Sequence, residues 1–179
     1  MAQFLPEDIT TQRLHLRRPN LADASVIFTA YAQDPEVCRF MIWTPHVSAA
    51  TTHTFIESCI DDWASDGRMA FIINQHSDDN AVGMIEARLL GTAIGIGYVL
   101  ARPFWGAGLI SEAIAALTET ALASFGIYRV QATCDTDNVP SQRPLEKSGF
   151  LQEGLLKRYT IHPNLSPEPP ACFMYAKFR

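Results

Sequence analysis

The chain has 179 residues, of which 47% are hydrophobic and 18% are charged, and its formal net charge is −5. That length is enough for one domain with a substantial core, and the composition is ordinary for a soluble globular protein. The acidic balance argues against nonspecific binding to nucleic acid and is compatible with a cationic amine substrate. We therefore expect a single domain over residues 1–179.

Signals for a membrane protein, a secreted protein and a metal site are missing from the sequence. No apolar run approaches the length of a membrane span, and the first six residues lack the basic and apolar regions of a signal peptide. The four cysteines are scattered, with no Cys-x-x-Cys spacing, which argues against a bound metal or a disulfide framework. We expect a cytoplasmic protein with no membrane partner and no metal.

The N-terminal half contains predicted strands and helices. Alternating leucines predict a half-buried strand over residues 13–18. Asn20 can cap a helix that begins at Leu21, and we interpret Asp23 as a residue of its first turn, where negative charge is favourable, rather than as a catalytic group. The next predicted elements are a connector at 40–46, a helix at 48–64, and strands at 69–74 and 82–90 joined by a turn at 76–80.

The C-terminal half begins with the stretch around which the chain is organised. An apolar run over residues 94–100 predicts a buried strand, and a glycine-punctuated turn at 105–112 opens a helix that ends at Gly126. The predicted buried face of this helix consists of Ile110, Ile114, Leu117, Ala121 and Phe125.

The elements predicted after this helix are shorter than it, and the first of them contains Cys134. We expect Cys134 to be a core residue, because no pattern in the sequence supplies it with a base. The predicted elements are a strand at 128–134, a helix at 138–148, paired strands at 150–158 and 172–179, and an irregular proline-rich loop at 162–170.

A strand that leads through a glycine-rich turn into a helix is a candidate anion site. Backbone amides at a helix start have no partner within the helix, and the positive end of the helix dipole adds to their attraction for a phosphate. Gly106 and Gly108 have no Cβ, so a phosphate could approach their amides closely. The Walker and dinucleotide motifs both fail, because the chain has no Gly-Lys pair and no third glycine at the required spacing. A tight turn without a ligand is the alternative for this stretch taken alone.

An ordered set of motifs narrows this choice. Gly-Tyr-Val-Leu at 97–100 is followed by Trp-Gly-Ala-Gly at 105–108, Asn-Val-Pro-Ser at 138–141 and Leu-Glu-Lys-Ser-Gly-Phe at 145–150. The set resembles the GNAT superfamily of acetyl-CoA-dependent N-acetyltransferases, and within it the RimJ/RimL type, which acetylates ribosomal-protein N-termini. The resemblance extends to the N-terminal Thr-Gln-Arg-Leu-His-Leu-Arg at 11–17, and so covers nearly the whole chain.

The resemblance implies an α+β fold, a mixed and mostly antiparallel sheet with helices on both faces. In this family two central parallel strands splay apart, and the pantetheine arm of acetyl-CoA lies in the gap. The strands would be those at 94–100 and 128–134, with pairing lost near 100–102. The implied cofactor-binding residues are Val99, Leu100, Trp105, Gly106, Ala107, Gly108, Leu109, Ile110, Ser111, Asn138 and Ser141.

The implied reaction is direct attack of a neutral amine on the thioester. Ser141 is the candidate that protonates the leaving thiolate, and a backbone amide near 99–100 would polarise the carbonyl. Glu86 is the candidate proton acceptor; its alternative role is an exposed strand residue paired with Arg88. In the family the connector and nearby helices line the acceptor site, which makes Trp43, His46 and His53 candidate substrate contacts; packing of the tryptophan and solvation of the histidines are the alternatives.

Several points stay open in the sequence. The acceptor could be a protein N-terminus or a small-molecule amine, and the protein could be a monomer or a homodimer. Pro144 falls within the predicted helix at 138–148 and could kink it or delay its start, which bears on the aim of Ser141. Together with Gly95 and Ile110, where the family usually has other residues, it favours an alternative function as a CoA-binding sensor without turnover.

Overall fold

The computed structural model describes residues 4–65 and 67–179; residues 1–3 and 66 of the predicted domain lie outside this range. In the described part, eight strands form one sheet in the order β1-β2-β3-β4-β5-β6-β8-β7, and every neighbouring pair is antiparallel except β5 and β6. The strands are β1 Asp8–Thr10, β2 Leu14–Arg17, β3 Arg68–Gln75, β4 Asp78–Leu90, β5 Ala93–Leu100, β6 Arg129–Asp135, β7 Leu151–Leu156 and β8 Cys172–Phe178.

Helices cover both faces of this sheet, as the α+β prediction requires. They are α1 Asp23–Ile27, α2 Pro35–Cys38, α3 Ala49–Asp62, α4 Leu109–Ala123 and α5 Val139–Lys147; a π-helical turn, Phe28–Ala32, continues α1, and a 3-10 turn, Arg102–Phe104, precedes α4. Alternate residues of β3 enter two separate cores. Phe71 and Ile73 pack with α4, whereas Ala70 and Ile72 pack with α1 and α3. Because both faces of β3 are covered, its pattern is a continuous apolar run.

The first helix differs from its prediction. It begins at Asp23 rather than Leu21, because Asn20 Oδ1 accepts a bond from the amide of Ala22 (2.9 Å) in the preceding turn. The buried Asp23 carboxylate accepts two bonds from the Arg17 guanidinium (2.6 and 2.9 Å) and one from the Asn20 amide (2.7 Å). Asp23 therefore links the helix start to β2, which agrees with a structural role.

The buried face predicted for α4 is right for four of its five members. Ile114, Leu117 and Ala121 are fully buried and Ile110 packs against the same core, but Phe125 is fully exposed. The helix ends at Ala123, and the next residue has an extended backbone (ψ 144°), so Phe125 no longer follows the helical repeat. The short edge strand β1 was also missed, since only its central residue, Ile9, is buried.

The central parallel pair separates early. β5 and β6 pair only at Ala93–Arg129, Ile94–Val130 and Gly95–Gln131. Over the described residues β5 continues with β4 as far as Leu100, and β6 pairs with β8 along its whole length. The splay therefore begins after Gly95 instead of near 100–102, because each strand is bound fully to its own half of the sheet.

No helix among the described residues is long and apolar enough to cross a membrane.

Candidate active site

A cavity of about 460 Å³ opens where β5 leaves β6. Its walls come from the connector, α3, β4, both splayed strands, the start of α5 and the loop before β8. Six of the residues predicted to form the site line it: Trp43, His46, Glu86, Val99, Asn138 and Ser141.

The glycine-rich turn lies past the end of β5, and its residues are not among those lining the cavity. Gly106 and Gly108 have φ of +78° and +75°, a left-handed conformation that side chains with a Cβ rarely adopt. Gly108 is the N-cap of α4, and the amide of Glu112 makes the bond to its carbonyl (3.2 Å). The amides of 109–111 precede this first helical bond, so the turn offers a group of donors at the positive end of a 15-residue helix.

An N-terminal brace, which the sequence did not indicate, holds this turn. Glu112 accepts bonds from the Thr11 hydroxyl (2.6 Å) and from the amide and guanidinium of Arg13 (2.9 and 2.6 Å). Burial opposes the charge on Glu112, but these hydrogen bonds prevail and hold its pKa below the usual value. Arg13 also donates to the carbonyl of Ala107 (3.0 Å). The brace therefore holds the turn through the Glu112 carboxylate and the Ala107 carbonyl, and it uses none of the amide donors of the turn.

Backbone groups near 100–102, which were predicted to be available to pantetheine, already have hydrogen-bond partners in the protein. The indole Nε1 of Trp105 donates to the carbonyl of Leu100 (2.7 Å), and the amide of Ala101 donates to Val82 (2.8 Å). Trp105 thus folds back on β5 while its ring stays about half exposed. The part of β5 that has no strand partner on the β6 side is therefore 96–99, rather than the predicted 100–102.

Ser141 faces Tyr98, which lies in the Gly-Tyr-Val-Leu motif and had no predicted role in the site. Tyr98 Oη lies 2.8 Å from both the hydroxyl and the carbonyl oxygen of Ser141. Burial is the main reason that the pKa of Tyr98 is raised, so the phenol keeps its proton at neutral pH. When that proton goes to the carbonyl, the serine hydroxyl can donate to Tyr98; when Ser141 donates elsewhere, the phenol can donate to the serine oxygen.

Pro144 does not delay the helix. α5 begins at Val139, directly after Asn138, and runs through Pro144 to Lys147. A proline here removes the bond to the carbonyl of Pro140, which is at an exposed position in the first turn where water can take its place. Of the two effects that Pro144 could have on this helix, the late start does not occur.

The connector and α3 form an aromatic wall. The rings of Trp43 and His46 lie 5.2 Å apart between centroids, and His46 and Phe55 lie 6.0 Å apart. His46 Nδ1 is 2.7 Å from the hydroxyl of Thr52, and burial lowers its pKa, which favours a neutral ring. His53 was predicted to belong here, but it is on the outer side of α3 near Glu57 (3.5 Å) and does not line the cavity.

Glu86 is both paired and part of the cavity. Its carboxylate lies 2.6 Å from the guanidinium of Arg88 and 3.7 Å from that of Arg68. Gly97, opposite it on β5, leaves room for this carboxylate, since a Cβ there would stand 3.2 Å from its oxygen. The predicted alternative, a pair with Arg88, is therefore present beside the predicted place in the site.

The loop before β8 adds a second feature that the sequence did not indicate. His162 Nδ1 lies 3.1 Å from Asp135 Oδ2; both side chains are buried and both residues line the cavity. Asn164 donates to the carbonyls of Cys38 (2.6 Å) and Trp43 (2.8 Å), which ties this loop to the connector. The partners are 27 to 126 residues apart, so no local spacing announces them.

Cys134 is buried, as predicted for a core residue. It touches the cavity, but burial raises the pKa of its thiol to about 12. The thiol is therefore protonated at neutral pH and is a poor nucleophile.

Among the described residues, no group of three or more histidine, cysteine, aspartate or glutamate side chains is arranged to hold a metal ion.

Comparisons with known proteins agree with this architecture. Residues 13–151 match the model of the acetyltransferase (GNAT) domain. The chain is 33% identical to the uncharacterized N-acetyltransferase p20 of Bacillus licheniformis over 157 residues, 86% of this chain and 87% of that protein.

Solved structures show the same fold. A GNAT-family acetyltransferase from Bacillus anthracis superposes with a TM-score of 0.84 at 24% identity, covering 96% of this chain and 98% of the other. The microcin C7 self-immunity acetyltransferase MccE, in complex with acetyl-CoA and AMP, gives 0.86 at 23% identity and covers 99% of both chains. RimJ of Mycobacterium smegmatis, in complex with a CoA disulfide, gives 0.87 at 20% identity, covering 99% of this chain and 90% of the other.

Proposed function

The chain belongs to the GNAT acetyltransferase family and is an acetyl-CoA-dependent acyltransferase; from that premise we propose that it acetylates a primary amine by direct attack in a ternary complex. The acceptor is a protein N-terminus, as for the RimJ/RimL type, or a small-molecule amine. The observation that carries the proposal is the splay of β5 from β6 after Gly95, between an amide-rich turn and the Ser141 hydroxyl.

The residues present fit the co-substrate. In this proposal the amides of the turn from Gly106 to Ser111 hold the diphosphate, and Gly106 and Gly108 supply the positive φ that the turn requires. The free edge of β5 near Val99 and the side chain of Asn138 hold the pantetheine arm. Asn138 lines the cavity, and its side chain makes no hydrogen bond within the described chain.

The bound co-substrate supplies an acetyl group activated as a thioester. Ser141 donates a proton to the departing sulfur, while Tyr98, itself protonated, donates to the serine oxygen in its place. A backbone amide near Val99 and Leu100 polarises the thioester carbonyl. The aromatic wall, with Trp43 and His46, receives the apolar part of the acceptor.

Glu86 supplies negative charge to the acceptor side of the cavity. A primary amine is mostly an ammonium at pH 7, since the pKa of a lysine-like amine is about 10.4. Glu86 is the carboxylate on the β4 wall of the cavity, so we propose that it attracts this ammonium. Proton transfer to Glu86 stays a prediction of the sequence that the variant below tests.

The function is tested by thiol release from acetyl-CoA with three probes: benzylamine, spermidine and a peptide with an N-terminal serine. We expect release above the acceptor-free rate with at least one probe, and an acetylated product of the corresponding mass. Binding of CoA with no release on any amine would instead support a sensor. α5 begins directly after Asn138, and the Ser141 hydroxyl contacts Tyr98. This geometry favours an enzyme with turnover over a sensor.

Glu86→Gln should lower kcat/KM for the amine by roughly tenfold at neutral pH, mainly through a higher KM, because the side chain that attracts the ammonium loses its charge. Activity should recover in part at alkaline pH, where more of the amine is already neutral. Steady-state rates over the amine concentration at two pH values measure this. Glu57→Gln, on the outer side of α3, is the matched control. Equal rates of Glu86→Gln and the unaltered enzyme would remove Glu86 from the site.

A further inference from the structure

His162 and Asp135 form a buried pair at the cavity that the roles above do not use. Their side chains are 7% and 3% exposed, and Nδ1 of the histidine lies 3.1 Å from Oδ2 of the aspartate. A buried carboxylate has to be paired or hydrogen-bonded to be tolerated in the interior. The other oxygen of Asp135 accepts a bond from the amide of Asp137 (2.8 Å), so both oxygens are used and the carboxylate cannot turn.

This geometry fixes the tautomer of the histidine. An ionised carboxylate only accepts hydrogen bonds, so Nδ1 of His162 carries the proton that joins the pair. In the neutral ring Nε2 is then a free base. Nε2 has no hydrogen-bond partner among the described residues and is not sealed in the interior, and His162 lines the cavity.

The position of His162 is also fixed by its backbone and its loop. Its carbonyl accepts bonds from the amides of Leu165 (2.9 Å) and Ser166 (3.1 Å), and Asn164 ties the same turn to the connector. Asp135 is the last residue of β6, from which the chain turns through Asn138 into α5. A base at this point shares one cavity with Ser141 and with the aromatic wall.

We propose that His162, oriented by Asp135, is the group that takes the proton of the acceptor ammonium. This role rests on the proposed amine acetylation. Nε2 accepts one proton from the ammonium, and the freed lone pair forms the C–N bond at the thioester carbonyl carbon. The C–S bond breaks, and the sulfur takes the proton of the Ser141 hydroxyl. The nitrogen's second proton, lost as the amide forms, restores Ser141, and His162 passes its proton to solvent.

Other titratable groups face the same cavity and enter any pH profile. Burial raises the pKa of the thiols of Cys134 and Cys172 and of the phenols of Tyr31 and Tyr98, so these groups stay neutral near pH 7. The remaining ones are His46, Arg68, Glu86 and Arg88. His46 already bonds Thr52 through Nδ1 and has no carboxylate partner among the described residues. His162 is thus the histidine of the cavity that a carboxylate orients.

The test compares His162→Gln, Asp135→Asn and the surface control His53→Gln. For each, kcat/KM is measured against pH by thiol release, with the most active of benzylamine, spermidine and the serine peptide. We expect His162→Gln to lose about 10²-fold at neutral pH, within the usual range for acid–base groups. Its remaining activity should rise with pH only as the amine loses its own proton, so the acid limb should move toward the pKa of the amine, about 10.4 for a lysine-like amine. Asp135→Asn should lose a similar factor because the tautomer is no longer enforced. His53→Gln should match the unaltered enzyme, and CoA should stabilise all three variants.

Each other result refutes the proposal. An acid limb that stays in its original pH range in His162→Gln, or a loss below tenfold, would show that another group takes the proton; a shifted limb together with a lower kcat in Glu86→Gln would identify that group. Loss of CoA-induced stabilisation in both His162→Gln and Asp135→Asn would make the pair a structural brace. No thiol release by the unaltered enzyme with any probe would refute the proposed amine acetylation itself, and the role of His162 with it.

Discussion

Replacement of Ser141 by alanine is expected to lower kcat by about 10²–10⁴, the usual effect of removing a general acid, while CoA still stabilises the protein. The hydroxyl is held by Tyr98 at 2.8 Å, so in the resting protein its loss removes one hydrogen bond at a half-buried position. In the reaction it would remove the proton donor for the departing thiolate. An interaction that strengthens only in the transition state lowers kcat without weakening binding.

Single-turnover and steady-state thiol release measure this effect, and the CoA-induced shift in Tm measures binding. Ser25→Ala, on the exposed side of α1, is the matched control and should leave both unchanged. Tyr98→Phe should give an intermediate loss, because Ser141 keeps its proton but loses the phenol that orients its hydroxyl and donates to its oxygen. A loss below roughly tenfold in Ser141→Ala would assign thiolate protonation to water or another residue.

Replacement of Gly108 by leucine is expected to abolish the stabilisation of the protein by CoA. A ligand present at 100 times its Kd contributes about 2.7 kcal/mol to the folded state, which for a chain of this size corresponds to roughly 5–10 °C in Tm. Gly108 has φ of +75° and caps α4. A leucine here would cover the amides of the turn and force the backbone away from the left-handed conformation that aims them.

The same substitution also strains the fold, and a control separates the two effects. A residue with a Cβ in the left-handed region costs roughly 1–2 kcal/mol. Gly126 follows the other end of α4 with φ of +83° and has nothing within 4 Å of a Cβ built there, so Gly126→Leu carries a similar strain far from the turn. Both variants should unfold at a lower temperature, but only Gly108→Leu should fail to respond to CoA. A preserved CoA shift in Gly108→Leu would place the phosphate site elsewhere.

Local patterns in the sequence were sufficient for most of the fold. β5, α4 and α5 are where an apolar run, period-3.6 hydrophobicity and glycine stops predicted them, because these signals are local to each element. Residue type permits the positive φ of Gly106 and Gly108 but does not fix it, since Gly95 and Gly97 lie in β5 without one. The start of α1 differs from its prediction because the Asn20 side chain accepts a bond from the amide of Ala22 in the preceding turn and the Asp23 carboxylate pairs with Arg17 on β2.

The candidate site depended on tertiary structure more than the fold did. From the sequence alone, Ser141 and the glycine-rich turn are candidates because they lie in motifs of adjacent residues, and Glu86 is one because it lies on the strand before β5. Only the folded chain showed that Tyr98 contacts Ser141, that Arg68 joins Arg88 beside Glu86, and that His162 pairs with Asp135. These contacts join residues of separate strands and loops, and their energies depend on burial and distance. Neither quantity is encoded in spacing along the chain, so the order of the strands and the splay after Gly95 decided them.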